Sequence, residues 1–190
     1  GVAFDFMNKF SGSLDGQNYI INGLYINRQT ESYVGLFEDS MGSISNLKLQ
    51  NVNITGKDNV GALVSFNSGD ILNSSVTGTI ISQGDYAGGL VGYNYGTTAL
   101  IDESYSMAGV TTMTGDNIGT LAGANSGSIT NSYGAATASG KDSVGGLVGL
   151  NYGTIDESQA TGSVYGSDNI GGLVGTNIGT ITNSFGWVLD

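Results

Sequence analysis

Apolar and polar residues follow one another along this chain in short bursts, never at helical spacing. "VGGLVGLNYGTI" (Val144–Ile155) and "IGGLVGTNIGTI" (Ile170–Ile181) show the pattern most clearly. Each opens on an apolar anchor, runs into a second apolar pair, passes an Asn-x-Gly turn and closes on isoleucine. No stretch sets apolar residues at i, i+3, i+4 and i+7 over the length of a helix. Short β-prone runs bounded by Gly, Asn, Ser and Asp fill the chain instead. The pattern predicts an all-β molecule.

The burst recurs. Its anchors are Val34, Val60, Ala87, Ile118, Val144 and Ile170, at spacings of 26, 27, 31, 26 and 26 residues. The long interval holds an insertion around Thr97–Leu100. Further copies read "VGALVSFNSGDI" (60–71), "AGGLVGYNYGTTALI" (87–101) and "IGTLAGANSGSI" (118–129), and "VGLFEDSMGSI" (34–44) is a shorter, degenerate one. A unit of about 26 residues with about three short strands and no helix fits one coil of a β-solenoid. One coil cannot bury its apolar face alone, but coils stacked at about 4.8 Å share a continuous core. The expected fold is a right-handed, three-sided parallel β-helix forming a single domain over residues 1–190. Its N-terminal coil is expected at 1–33, its repeat coils at 34–184 and its C-terminal end at 185–190. Alternation through Tyr19, Ile21, Leu24 and Ile26, broken at Asn22–Gly23, marks the first coil. Solenoid ends expose strand edges that must be capped or joined to neighbours. "GVAFDF" at one end and "SFGWVLD", with Trp187, at the other are the expected covers. A phosphate loop occurs once per site and opens a helix. These glycines recur without a helix, so they are expected at corners, for φ > 0 or close backbone approach.

Composition narrows the chemistry. Among 190 residues there are 33 glycines and no proline, cysteine or histidine. Collagen, disulfides, thiolate metal sites and thiol catalysis are excluded, and the commonest general base is missing. Five bases (Lys9, Arg28, Lys48, Lys57 and Lys141) stand against sixteen acids, for a net charge of −11. Such a surface repels nucleic acid and anionic lipid. No apolar run is long enough to span a bilayer. No leader is visible before Gly1, so a mature form or a fragment of a larger secreted protein is expected.

The copies "GGLVGYN", "GGLVGLN" and "GGLVGTN" resemble the GLUG motif of bacterial surface proteins. The leading "FSGSLDGQNYIINGLYI" resembles the coil that precedes such arrays. The resemblance covers about residues 10–186. It departs at Val34–Phe37, where a glycine is missing, and at Ile118–Gly123, where Thr120 and Ala122 replace Gly and Val. GLUG arrays occur in secreted adhesins, in filamentous-haemagglutinin-like proteins and beside the protease domains of immunoglobulin A1 peptidases. The resemblance implies extracellular display on the cell surface and supplies no catalytic residues.

Stacking turns each sequence column into a ladder, and three columns are candidates for function. Asp58, Asp85, Asp116, Asp142 and Asp168 each precede an anchor by two residues. Carboxylates about 5 Å apart repel and raise one another's pKa unless a cation, a lysine or a hydrogen bond offsets the charge. The expectation is an Asx turn onto the local backbone, with calcium on the ladder as the functional alternative. Asn67, Asn94, Asn125, Asn151 and Asn177 suit an amide ladder that fixes register. Tyr105, Tyr133 and Phe185 form an aromatic column, with Tyr93, Tyr95 and Tyr152 near the Asn turn. Exposed aromatics stack on sugar rings or bury against a protein partner, although tyrosine also simply favours a pleated surface. The repeated "IDES" (Asp102–Glu103, Asp156–Glu157) puts adjacent acids on opposite faces of a strand, which is not the paired arrangement of a glycosidase. Asn53 and Asn73 lie in N-x-[ST] sequons, which matter only in a glycosylating host.

The first functional expectation is a non-enzymatic extracellular module, structural or adhesive. Its partners would be a carbohydrate or protein receptor, or neighbouring copies or domains at the solenoid ends. The second is a β-helix lyase or hydrolase acting on polysaccharide, for which five bases make a poor cleft. The third is an ice-binding array, for which Thr77, Thr137 and Thr161 would need to form a continuous column.

Overall fold

The structure, a computed structural model, describes residues 9–188. It is all-β, and among these residues no helix forms. Every strand pairing is parallel, and the partner in each case comes from an adjacent coil. The anchors stack in one column, Val34 to Val60 to Ala87 to Ile118 to Val144 to Ile170. The parallel β-solenoid expected from the repeat is therefore what forms.

Each full coil contributes four strand segments, one more than the three read from the sequence, and in two coils the last is broken in two (Tyr133–Ala135 and Ala138–Ser139; Gln159–Gly162 and Val164–Tyr165). The short anchor strand (Val60–Gly61) bends at Ala62–Leu63 into an amide strand (Val64–Asn67). The isoleucine strand (Asp70–Leu72) and the long strand (Ser75–Ser82) follow. Equivalent strands form a five-stranded anchor sheet, a six-stranded amide sheet, a seven-stranded isoleucine sheet and a ten-stranded long sheet. The bend inside "GGL" is what divides the single apolar burst in two.

The insertion before Ile118 is divided as well. Asn94 and Asn125 are in register with Asn67, and Ile101 with Ile71. Tyr95 takes the place of Ser68 and the buried Ala99 that of Gly69, so three extra residues bulge out at 96–98. Ser82 pairs with Thr112, so the fourth extra residue falls between Thr112 and Asp116. Met113, beside it, is almost fully exposed.

Apolar side chains from all four sheets meet inside. Leu63, Leu90, Leu121 and Leu147 form one buried column, and Ile44, Ile71, Ile101, Ile129 and Ile155 another. Thr120 stands in the glycine column of Gly89 and Gly146 without breaking its coil. Its hydroxyl donates to the Gly146 carbonyl. A methyl group on Gly134, across the core, would collide with Thr120 Oγ1. Volume added on one wall is thus removed from the other.

The left-handed corners are not where the glycines are. Asn46, Asn73, Glu103, Asn131, Glu157 and Asn183 adopt φ between 43° and 54° at the corner before the long sheet. Tyr33, Asn59, Tyr86, Asn117, Ser143 and Asn169 adopt φ between 51° and 64° just before the anchors. Only Gly23, Gly78, Gly96 and Gly162 have positive φ among the described glycines. Asparagine tolerates this region because its short amide can hydrogen-bond locally, whereas glutamate has no such help. Replacing Glu157 by the asparagine found in four equivalent coils is expected to stabilise the fold by about 1 kcal/mol. That raises the melting temperature by about 2–4 °C, and an unchanged or lower value in a thermal melt would contradict it.

Residues 1–6, the expected N-terminal cover, lie outside the described residues. At the other end, Phe185–Val188 pairs with Gln159–Gly162 as the next rung of the long sheet. Trp187 is 66% exposed there, so its ring does not fold over the end coil. Within that coil Ile170 is 43% exposed, although Val144 beneath it is fully buried.

Candidate functional site

The asparagine column is a continuous amide ladder. The Nδ2 groups of Asn67, Asn94, Asn125 and Asn151 donate to Oδ1 of Asn94, Asn125, Asn151 and Asn177, each at 2.8 Å. A second ladder comes from the serine of the "NS" and "ES" pairs. Backbone N–H groups of Leu47, Ser74, Ser104, Ser132 and Ser158 donate to the hydroxyls of Ser74, Ser104, Ser132, Ser158 and Ser184 at 2.9–3.2 Å. Those hydroxyls donate in turn to carbonyls two residues upstream. The signal was present in the sequence as a serine recurring after an Asn or Glu. These two columns hold register and present no reacting group.

The aspartate column bonds mostly to the next coil rather than to its own turn. Oδ1 of Asp58 accepts from the Asp85 backbone N–H at 3.1 Å, and Oδ1 of Asp85 accepts from that of Asp116 at 2.8 Å. Ser32 and Lys57 reach the other oxygen of Asp58 at 3.0 and 3.4 Å. Asp142 is in register with Asp168. Asn169 donates to its carboxylate at 2.7 Å, and this bond, helped by Ser143 and Lys141, holds its pKa below the usual carboxylate range. Asp116 interrupts the series, with Oδ1 shut from solvent and no hydrogen bond among the described residues. Calcium takes six to eight oxygens converging on one point. Among the described residues no three acidic side chains gather in this way. The column runs along the axis, with Oδ1 of Asp58, Asp85 and Asp142 already turned to N–H donors, and does not fit a calcium cage.

The "IDES" aspartates also tie coils together. Thr130 and Asn131 donate to Asp102 Oδ1 at 2.6 and 3.0 Å. Thr182 and Asn183 do the same for Asp156 at 2.7 and 3.0 Å. Burial pushes the Asp102 carboxyl up, but the donations from Thr130 and Asn131 outweigh it and the pKa falls below the usual value. Thr182 and then Asn183 pull Asp156 down in the same way. A glycosidase acid needs the opposite shift. Lowered folded-state values stabilise the fold above the unfolded carboxylate pKa of about 4 and lose that contribution as pH falls through them. Melting temperature is therefore expected to hold across neutral and mildly acidic pH and to drop below about pH 4. In Asp156→Asn that acid-side drop should be smaller; an identical profile would contradict the assignment.

The aromatic candidates separate into two faces. Tyr105 and Tyr133 lie on the long sheet, stacked at 4.7 Å and 3°. Burial, and then Tyr105, pushes the Tyr133 phenol up. Phe185 is two coils further on, across Gln159, and packs against Trp187 at 6.2 Å. It does not join that stack. Tyr93 and Tyr95 belong to a separate cluster on the amide sheet, with Phe66, Tyr33 and Tyr86, three residues the sequence did not single out. Ring centroids there are 4.9 Å apart for Phe66–Tyr95, 5.5 Å for Tyr93–Tyr95, 5.6 Å for Phe66–Tyr93, 5.7 Å for Tyr86–Tyr93 and 6.4 Å for Tyr33–Phe66. Burial raises the Tyr86 pKa most, followed by its neighbours Tyr93, Asp85, Tyr152 and Asp116. Tyr152 therefore borders the same face.

This cluster is local and is not imposed by the repeat. Phe66 and Tyr93 share a column with Asp39, Ala124, Leu150 and Thr176. Tyr33 and Tyr86 hold left-handed φ of 62° and 61° at a corner that other coils fill with Asn or Ser. A bulky ring in that region is strained, and such strain is commonly kept at functional positions. The threonines of the ice-binding expectation do not align: Thr77 pairs with Met107, and Thr161 with Ala135 and Trp187. No helix among the described residues is long and apolar enough to cross a membrane.

Residues 142–165 match the family model of the GLUG motif. Over 88 residues, 45% of its length, the chain is 42% identical to halomucin of Haloquadratum walsbyi, and it spans about 1% of that protein. A solved structure described as a candidate immunoglobulin A1 protease of Bacteroides ovatus superposes with a TM-score of 0.74 at 23% identity. The match covers 90% of this chain and 58% of the other, and at that identity it speaks to the fold alone. The resemblance to GLUG repeats read from the recurring "GGLVG" is thereby borne out.

Proposed function

We propose that this chain is an extracellular repeat module, a stacked β frame that displays a binding surface and carries out no reaction of its own. The observation that carries the reading is the aromatic cluster of Tyr33, Phe66, Tyr86, Tyr93 and Tyr95. It is confined to a few coils of a frame whose other conserved-spacing columns, the asparagines and serines, are occupied in holding register. Supporting it are the GLUG match over residues 142–165 and the likeness to halomucin, whose name marks a mucin-like protein. Both favour a place outside the cell. The acidic, cysteine-free composition suits that setting, and the partner is a carbohydrate or protein met at the aromatic face. Antibodies raised against the purified chain should label intact, unpermeabilised cells of the organism that makes it, or the material they shed. Labelling that appears only after permeabilisation would defeat the reading.

A further inference from the structure

Tyr95, Ser126, Tyr152 and Ile178 occupy one position in four successive coils, just after the ladder asparagine. Tyr95 is 49% and Tyr152 51% exposed. The Tyr95 ring leans on Phe66 at 33° and meets Tyr93 edge-on at 82°, so its orientation is set before any ligand arrives. Between the two tyrosines lies Ser126, whose hydroxyl is 2.8 Å from that of Tyr93. Ring, hydroxyl, ring is thus the order along the solenoid axis.

The spacing selects a ligand. Tyr95 and Tyr152 are two coil rises apart, about 9.6 Å. That is close to one disaccharide unit of an extended β-1,4-linked glycan, in which alternate sugar rings turn the same face to one side. The three-residue bulge at 96–98 places the exposed Thr97 and Thr98 beside Tyr95, adding hydroxyls where a sugar edge would lie. A net charge of −11 disfavours uronate or sulfated chains. We propose that Tyr95 and Tyr152 stack on alternate rings of a neutral β-1,4-linked polysaccharide lying along the solenoid axis, with Ser126 facing the sugar between them. The proposal rests on the display reading and names its ligand class.

The test uses the whole 190-residue chain and two probes, cellohexaose and chitohexaose, titrated by calorimetry. At least one hexasaccharide should bind, and cellobiose or chitobiose, too short to reach both rings, should bind at least ten-fold more weakly. Tyr95→Ser and Tyr152→Ser place the residue found at Ser68 and Ser126 in the same column, so the fold should survive, as circular dichroism would confirm. Each should weaken hexasaccharide binding at least ten-fold. Tyr165→Ser, exposed on the long sheet, should leave it unchanged. No binding of either hexasaccharide at millimolar concentration would overturn the proposal, as would equal losses in the Tyr165 variant. Neither result would alter antibody labelling of intact cells, so a wrong ligand is distinguishable from a wrong location.

Discussion

Alanine at Gly149 is expected to destabilise the solenoid by about 3 kcal/mol or more. The second strand of each apolar burst folds over the anchor strand of the coil before it, and Gly149 sits at that crossing. A methyl group there would strike the backbone nitrogen of Ile118 and the carbonyl carbon of Asn117, and would lie 2.7 Å from the Gly123 carbonyl oxygen. All are main-chain atoms of the neighbouring coil rather than the ends of flexible side chains, so none can step aside without moving that coil. The same collision recurs at Gly123 and Gly175, which is why the motif spells glycine at this place. Gly109 is the control. Its added methyl would meet only the Thr137 carbonyl, at 4.0 Å. Gly109→Ala should be neutral, or stabilising by a few tenths of a kcal/mol through the unfolded chain. Denaturant titration that finds the two variants equally stable would remove close backbone approach as the reason for the glycines.

Asn125→Ala is expected to cost about 3 kcal/mol. Asn125 is fully buried in the middle of the amide ladder. Removing it takes the 2.8 Å partner from both Nδ2 of Asn94 and Oδ1 of Asn151, leaving them only the longer bonds to the Ser128 carbonyl at 3.4 Å and from the Gly153 N–H at 3.2 Å. The Gly127 and Thr154 carbonyls lose a donor at 3.2 and 3.3 Å. Buried polar groups left without partners pay their full desolvation penalty. Asn177 ends the described ladder and is exposed, so Asn177→Ala should cost only about 1 kcal/mol. Equal effects at the two positions would mean that the ladder is decoration on a frame held by its core alone.

Much of this architecture is legible in the sequence because a solenoid has only nearest neighbours. Once the anchors Val60, Ala87, Ile118, Val144 and Ile170 are aligned, every asparagine and isoleucine column follows from counting. What counting cannot reveal is direction in the third dimension. The split of "VGGLVG" into two strands depends on a bend that glycine permits but does not announce. The left-handed corners before the long sheet fell to Asn and Glu because the polar side chain before each serine sits there, and those before the anchors to Asn, Ser and Tyr, while most glycines were needed for contact rather than for φ. Thr120 looked like a defect until Gly134, fourteen residues away in sequence, proved to face it across the core. The aromatic candidates show the same limit. Tyr93, Tyr95 and Tyr152 were visible as residues near a turn, but their joining with Tyr33, Phe66 and Tyr86 depends on how the anchor and amide sheets meet. Tyr105 and Tyr133 belong to another face altogether.

The central claim is that the repeats build a frame and the local aromatic face does the binding. Its most direct test is retention of beads coated with the chain on a film of the polysaccharide and protein material that surrounds the producing cells. Beads carrying the unaltered chain should be held, and beads carrying the Tyr95→Ser/Tyr152→Ser chain should wash away under the same flow. Equal retention of the two, or retention of neither, would contradict the account.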